Sequence, residues 1–200
     1  MTPAVFVDRD GTLNEDVGYV DRLERFHLYP YATDALRVLA RAGYRLVIVT
    51  QQAGVAHGVL DEPTLASIHR HLVSRLADAG VELAGIYYCP HNLTAQLERY
   101  RIDCECRKPL PGMLLRAARE LDLDTTRSVI VGDRWRDLRM GSTIGVPGIM
   151  VRTGYGESEA RMAPDGVEAA AIVSNLMEAA GWILRHGPLG RKLEVRRRKP

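Results

Sequence analysis

No apolar run in this 200-residue chain approaches the roughly 20 residues that a membrane-spanning helix needs, so a helical membrane protein is excluded. The amino terminus, MTPAVFVDRD, sets no basic region ahead of a long apolar stretch, and no signal peptide is expected. A cytoplasmic location follows as the expectation. Cysteine is scarce, with only Cys89, Cys104 and Cys106, and in a reducing compartment clustered thiols bind metal or do chemistry more often than they pair. Charge of one sign is also lacking. The net charge is +2, and the final ten residues, RKLEVRRRKP, contribute +5, which leaves −3 for the rest. Such a body offers no basic face for nucleic acid, and nucleic acid is not an expected partner. The tail, residues 191–200, reads as a solvated, disordered end, with capture of an anion or acidic partner as the alternative. No repeat or low-complexity linker divides the chain, so residues 1–190 are expected to form one domain.

What is present is alternation. AVFVD (4–8), YRLVIVT (44–50), GIYYC (85–89), SVIVGD (128–133), GIMVR (148–152) and AAIV (170–173) read as strands. Helical patterns lie between them: 31–43 closed by Gly43, 62–79 opened near Glu62-Pro63, 112–123 after Pro111, and 136–144. A last helix in LMEAAGWILRH follows a cap at Ser174 or Asn175. Strands alternating with helices predict an α/β fold, doubly wound, with a mainly parallel sheet. Their continuous apolar character fits helices on both faces.

Ligands of such sheets bind beyond the carboxyl ends of the strands. The first strand ends in Asp8-Arg9-Asp10-Gly11-Thr12, the second in Thr50-Gln51-Gln52 and the fourth in Gly132-Asp133. The segment leaving the third strand returns to Arg107-Lys108-Pro109. Three carboxylates on one rim need a hard cation such as Mg2+, and the remaining cations suit a phosphate dianion. Because side chains alternate along a strand, Asp8 and Asp10 can share a site that Arg9 need not enter.

All the cysteines fall in CPHNLTAQLERYRIDCECRKP, 89–109, with His91 two residues after the first. Cys89, His91, Cys104 and Cys106 make a complete Cys3His set with no position left for water, which suits structural zinc. A disulfide with one thiol left over, or three unbound thiols, are the alternatives.

The motifs D8-R-D-G-T12, T50, K108-P and G132-D133, in this order and spacing, resemble the four motifs of the haloacid-dehalogenase-type phosphatases. CPH followed by CECRKP is similar to the zinc loop of their histidinol-phosphatase-like subfamily, whose members have a minimal cap. The resemblance implies that Asp8 is the nucleophile that forms an aspartyl-phosphate, and that Asp10 is the acid and then the base. It implies a catalytic Mg2+ held by the Asp8 carboxylate, the Asp10 carbonyl and Asp133, and a structural Zn2+ on the four loop ligands. Thr50 and Lys108 would hold phosphoryl oxygens. The substrate would be a small phosphorylated sugar, with heptose 1,7-bisphosphate and histidinol phosphate the two that dominate the subfamily. GYV (18–20) and RKPLPGMLL (107–115) resemble the heptose members. A bisphosphate needs either tolerance for an exposed phosphate or a second anion site, for which Arg107, Arg134 and Arg22 are candidates. Gln51 and Arg134 stand where that pattern carries Asn and Lys. A monomer is expected, with no membrane partner. A zinc-stabilised binding module is the reading that dispenses with catalysis.

Overall fold

The computed structural model describes residues 1–189, and the tail expected over 191–200 lies outside the described residues. The apolar runs form strands β1 (Ala4–Val7), β2 (Arg45–Gln51), β3 (Gly85–Cys89), β4 (Val129–Gly132), β5 (Gly148–Val151) and β6 (Ala171–Val173). Helices α1 (Ala32–Arg41), α2 (Ala53–Ala56), α3 (Glu62–Asp78), α4 (Gly112–Glu120), α5 (Trp135–Ser142), α6 (Gly156–Glu159) and α7 (Leu176–His186) connect them. All neighbouring strands pair in parallel, in the order β3-β2-β1-β4-β5-β6. This is the doubly wound α/β sheet expected. The direction in which successive strands are added reverses between β1 and β4, where a crevice opens at the carboxyl edge.

Strand alternation divides the core into two layers. Val5, Val7, Leu46, Ile48, Val129 and Val131 face α1, α3 and α7 through Leu36, Leu39, Leu65, Ile68, Leu72 and Ile183. Ala4, Phe6, Val47, Val49 and Ile130 face the other way, toward Met113, Leu114 and Ala117 of α4 and Met140 of α5. Buried residues Ala32, Ala35, Leu36 and Leu39 give α1 its apolar stripe, and Gly43, at φ 95°, carries the chain out of it. Asp61 caps α3 by accepting from the Thr64 N–H (2.8 Å), just ahead of Pro63. Asn175 caps α7 by accepting from Met177 and Glu178 N–H.

The structure shortens one expected helix. α4 ends at Glu120, not near 123, because Asp122 takes φ 51° and turns buried Leu123 back against Thr2 beside β1. The single-turn helices α2 and α6 carry too few residues to show a period. No domain-sized insertion interrupts the described chain, and the long segments at the carboxyl edge are 8–31 and 90–111. No helix among the described residues is long and apolar enough to cross a membrane.

Candidate active site

Pairing of β1 with β4 places Asp8 and Asp133 side by side: the Asp8 N–H donates to Val131 O (2.9 Å), and Asp133 follows β4 directly. Lys108 enters from the cysteine loop. Its side chain is 1% exposed, and its ammonium lies 2.6 Å from Asp8 Oδ1 and 2.7 Å from Asp137 Oδ1. Carboxylate oxygens of Asp8, Asp133 and Asp137 all lie within 4.8 Å of one another. Asp137 does two things, since Oδ2 also accepts from the Arg134 N–H (3.0 Å) at the start of α5.

Three carboxylates facing one ammonium leave excess negative charge in a dry site. Burial, followed by repulsion from Asp8 and Asp137, pushes the Asp133 carboxyl up to about 8. Burial also raises Asp8 to about 6, against the pull of Lys108. Burial alone would lower the Lys108 ammonium, but Asp137 and Asp8 outweigh it and hold it above its ordinary value. A divalent cation fits this charge deficit. Asp133 Oδ1 is buried without a hydrogen-bond partner, while Oδ2 accepts from the Tyr155 N–H (2.8 Å). Gly11 (φ 83°) and Gly154 (φ 57°) press against the same carboxylate, and a Cβ on either would collide with it. An all-oxygen donor set of this kind suits Mg2+.

The Asp10 carboxylate stands outside that cluster. Its Oδ1 accepts from Arg9 Nε (3.0 Å) and Asn14 Nδ2 (2.9 Å), and its Oδ2 from Arg9 Nη2 (2.9 Å) and Gln52 Nε2 (2.8 Å). Gln52 also donates to Thr50 Oγ1 (2.8 Å). Arg9 therefore takes part in the site from behind, although alternation sends it to the opposite face of β1. The period-2 signal could have found Gln52, which shares a face with Thr50. Nothing local marked Arg9.

A cleft of about 390 Å³ opens over these groups, lined by Asp8, Asp10 and Thr50 with Gln51, Arg107, Arg134 and Arg136. Arg134 lies 3.4 Å above the centre of the Tyr155 ring and 3.7 Å from Asp16. Arg107 donates to His91 O (2.8 Å), and Gln51, with its amide oxygen turned inward, accepts from Arg107 Nη1 (2.6 Å). Arg22 instead pairs with Asp21 at an exposed turn and does not line the cleft. Arg136 was not anticipated; its place in the first turn of α5 aims it over the rim.

The loop cluster is equally compact. Cys106 Sγ lies 3.1 Å from Cys89 Sγ, 3.2 Å from Cys104 Sγ and 3.4 Å from His91 Nδ1, and Cys89 lies 3.7 Å from Cys104. All three thiols are free, and these separations are far beyond the roughly 2.05 Å of a disulfide. Tetrahedral zinc with ligands at about 2.3 Å sets sulfurs roughly 3.8 Å apart; the Cys89–Cys104 pair meets that spacing, and the two pairs of Cys106 are tighter, at 3.1 and 3.2 Å. Burial raises the Cys89 and Cys106 thiols, a cost that a bound cation offsets. The loop is tied down by Tyr88 and Tyr100, which both donate to Glu62 of α3, and by Asn92 against His57 (3.0 Å).

The family described as HAD-hydrolase-like matches this chain over residues 105–179. A D-glycero-beta-D-manno-heptose-1,7-bisphosphate 7-phosphatase of Photorhabdus laumondii is 46% identical over 154 residues, 76% of this chain and 81% of that one. The enzyme of the same name from Haemophilus influenzae is 46% identical over 77% of this chain and 84% of its own. Among solved structures, the D,D-heptose 1,7-bisphosphate phosphatase of B. bronchiseptica, complexed with magnesium and phosphate, superimposes with a TM-score of 0.80 at 31% identity, covering 92% of this chain and 99% of that one. Sheet order, cleft and relatives agree, and the chain belongs to the haloacid-dehalogenase-like phosphatases, as a phosphoric monoester hydrolase.

Proposed function

We propose that this protein hydrolyses the 7-phosphate of D-glycero-D-manno-heptose 1,7-bisphosphate, as a step in nucleotide-activated heptose biosynthesis. The single observation that carries the reading is the cleft itself. Asp8 lies at its floor beside Lys108, and three arginines, Arg107, Arg134 and Arg136, line it, which is more positive charge than one phosphate monoester requires. The relatives' shared name supplies the sugar.

An Asp8 oxygen attacks phosphorus, and the bond from phosphorus to the heptose oxygen breaks as that oxygen takes a proton from the acid form of Asp10, in which a proton replaces the amide donor of Asn14 or Gln52 on one carboxyl oxygen. Asp10 then removes a proton from the water that attacks the aspartyl-phosphate, releasing inorganic phosphate and restoring the Asp8 carboxylate. Lys108 and Thr50 hold the phosphoryl oxygens, and Lys108 keeps Asp8 turned toward them. Arg107, steadied by Gln51 and by the His91 carbonyl, and Arg134, stacked on Tyr155, hold the second phosphate. Mg2+ would be held by Asp8, the Asp10 carbonyl and Asp133, and would supply charge neutralisation at the transferring phosphoryl group. Zn2+ on Cys89, His91, Cys104 and Cys106 would order the loop that presents Arg107 and Lys108. The reduced thiol cluster supports action in the cytoplasm.

The test compares kcat/KM for the two anomers of heptose 1,7-bisphosphate with that for histidinol phosphate. The heptose esters should lead, and a tenfold lead for histidinol phosphate would overturn the substrate. Asp8→Asn should abolish hydrolysis of every ester while fold and zinc content persist.

A further inference from the structure

Arg9 is the largest fully buried side chain of the described residues, and it does not line the cleft. It continues the face of β1 that α3 covers. From there its guanidinium reaches back and grips both oxygens of Asp10, through Nε (3.0 Å) and Nη2 (2.9 Å), while Nη2 also donates to Gln52 Oε1 (3.1 Å). Such a two-pronged grip fixes the plane of a carboxylate as well as its place. Nη1, left over by this arrangement, meets His69 Nε2 of α3 at 3.2 Å. A guanidinium has no lone pair to offer, so the imidazole nitrogen must accept. Burial first, and then the Arg9 charge, push the His69 imidazole down to about 4, which keeps it neutral. Tyr88 of β3 supports the ring edge-on, with centroids 5.6 Å apart.

We propose that His69 is a positioning residue of the reaction: by accepting from Arg9 Nη1 it holds the guanidinium in the plane that presents the Asp10 carboxyl to the leaving oxygen. The chain His69–Arg9–Asp10 runs from a helix on the far side of the sheet to the acid of the cleft. Without the imidazole, a buried N–H would be left unpaired, and the guanidinium would turn toward the groove beside Ala66, Val73 and Tyr88 that His69 now closes. Asp10 would turn with it. This inference rests on the phosphatase reading above.

The experiment separates positioning from general loosening by the chemistry of the leaving group. An alkyl phosphate, here heptose 1,7-bisphosphate, or histidinol phosphate should that prove the better substrate, departs as an alkoxide that must be protonated. 4-Nitrophenyl phosphate departs as a stable phenolate that need not be. Because kcat/KM covers only steps through departure of the leaving group, the later role of Asp10 toward water does not enter. His69→Phe keeps the ring packing and removes the acceptor. It should lose roughly 10- to 100-fold in kcat/KM on the alkyl ester and less than about threefold on the aryl ester. His69→Gln, whose amide oxygen can reach Nη1, should recover most of the loss. Equal losses on both esters, or none on the alkyl ester, would overturn the proposal while leaving the phosphatase reading intact. A wild-type protein that hydrolyses neither ester would remove both. Should His69→Phe fail to fold, His69→Asn, too short to reach Nη1, takes its place with the same two outcomes.

Discussion

Replacing Asp137 by Asn tests whether the Lys108 ammonium is held from two sides. Asp137 meets two cationic or polar neighbours with its two oxygens: Oδ1 forms an ion pair with Lys108 Nζ at 2.7 Å, and Oδ2 accepts from the Arg134 N–H at 3.0 Å. The side chains of Asp137 and Lys108 are 2% and 1% exposed, so water cannot substitute. Asparagine matches the shape but brings one acceptor, and whichever donor it serves, its NH2 then faces the other. A hydrogen bond to a charged group is worth about 1.5–3 kcal/mol, and an unsatisfied buried donor costs about 1–3 kcal/mol. Against this stands relief of the repulsion that Asp137 exerts on Asp8 and Asp133. Saturating Mg2+ compensates most of that repulsion beforehand, so with the ion present the loss wins, at about 3 kcal/mol. For a chain of this size that is a fall in Tm of roughly 6–12 °C. Urea unfolding at pH 7 in saturating Mg2+ should show a lower midpoint at an unchanged slope. Activity should fall too, because a Lys108 freed from Asp137 turns wholly toward Asp8 and damps its nucleophilicity. A stability change under about 1 kcal/mol, with full activity, would show that Asp137 only caps α5.

The charge excess at the cluster has a pH signature. The Asp8 and Asp133 carboxyls lie above their unfolded value of 3.8, at about 6 and about 8, so the metal-free fold binds protons that the unfolded chain does not. Stability without metal should therefore decline as pH rises from about 4 to about 8, and added Mg2+ should raise Tm more at pH 8 than at pH 6; a metal-free Tm rising over that range would contradict the site. The protein as purified should carry one zinc per chain by elemental analysis, and Cys104→Ser should lower both zinc content and kcat/KM, because the loop that ends in Arg107 and Lys108 slackens. Full zinc-free activity would sever the loop from catalysis.

How much of this was legible beforehand depends on the distance over which a feature is encoded. The strand runs and their terminal residues could be read directly. In a parallel sheet every strand ends at the same edge, which is why Asp8, Thr50 and Asp133 were expected together without a contact map, with Lys108 returned to that edge by the segment that leaves β3. The Cys3His cluster was legible from the clustering of its residues, since all three thiols and His91 fall within 18 residues. Helix ends were less clear. α4 stops at Glu120 because Leu123 is claimed by the core beside Thr2, a demand that arises far earlier in the sequence.

Sequence by itself therefore determined the chemistry on offer: which acids, cations and thiols reach one rim, since strand direction and period are local properties of the chain. Tertiary packing alone decided who holds whom. That Lys108 is shared between Asp8 and Asp137, and that Asp10 is gripped by an arginine from the other face of the sheet, itself met by His69, depends on side-chain directions set by packed helices. A buried ion must find its partner wherever the fold closes over it, and no short stretch of sequence records where that is.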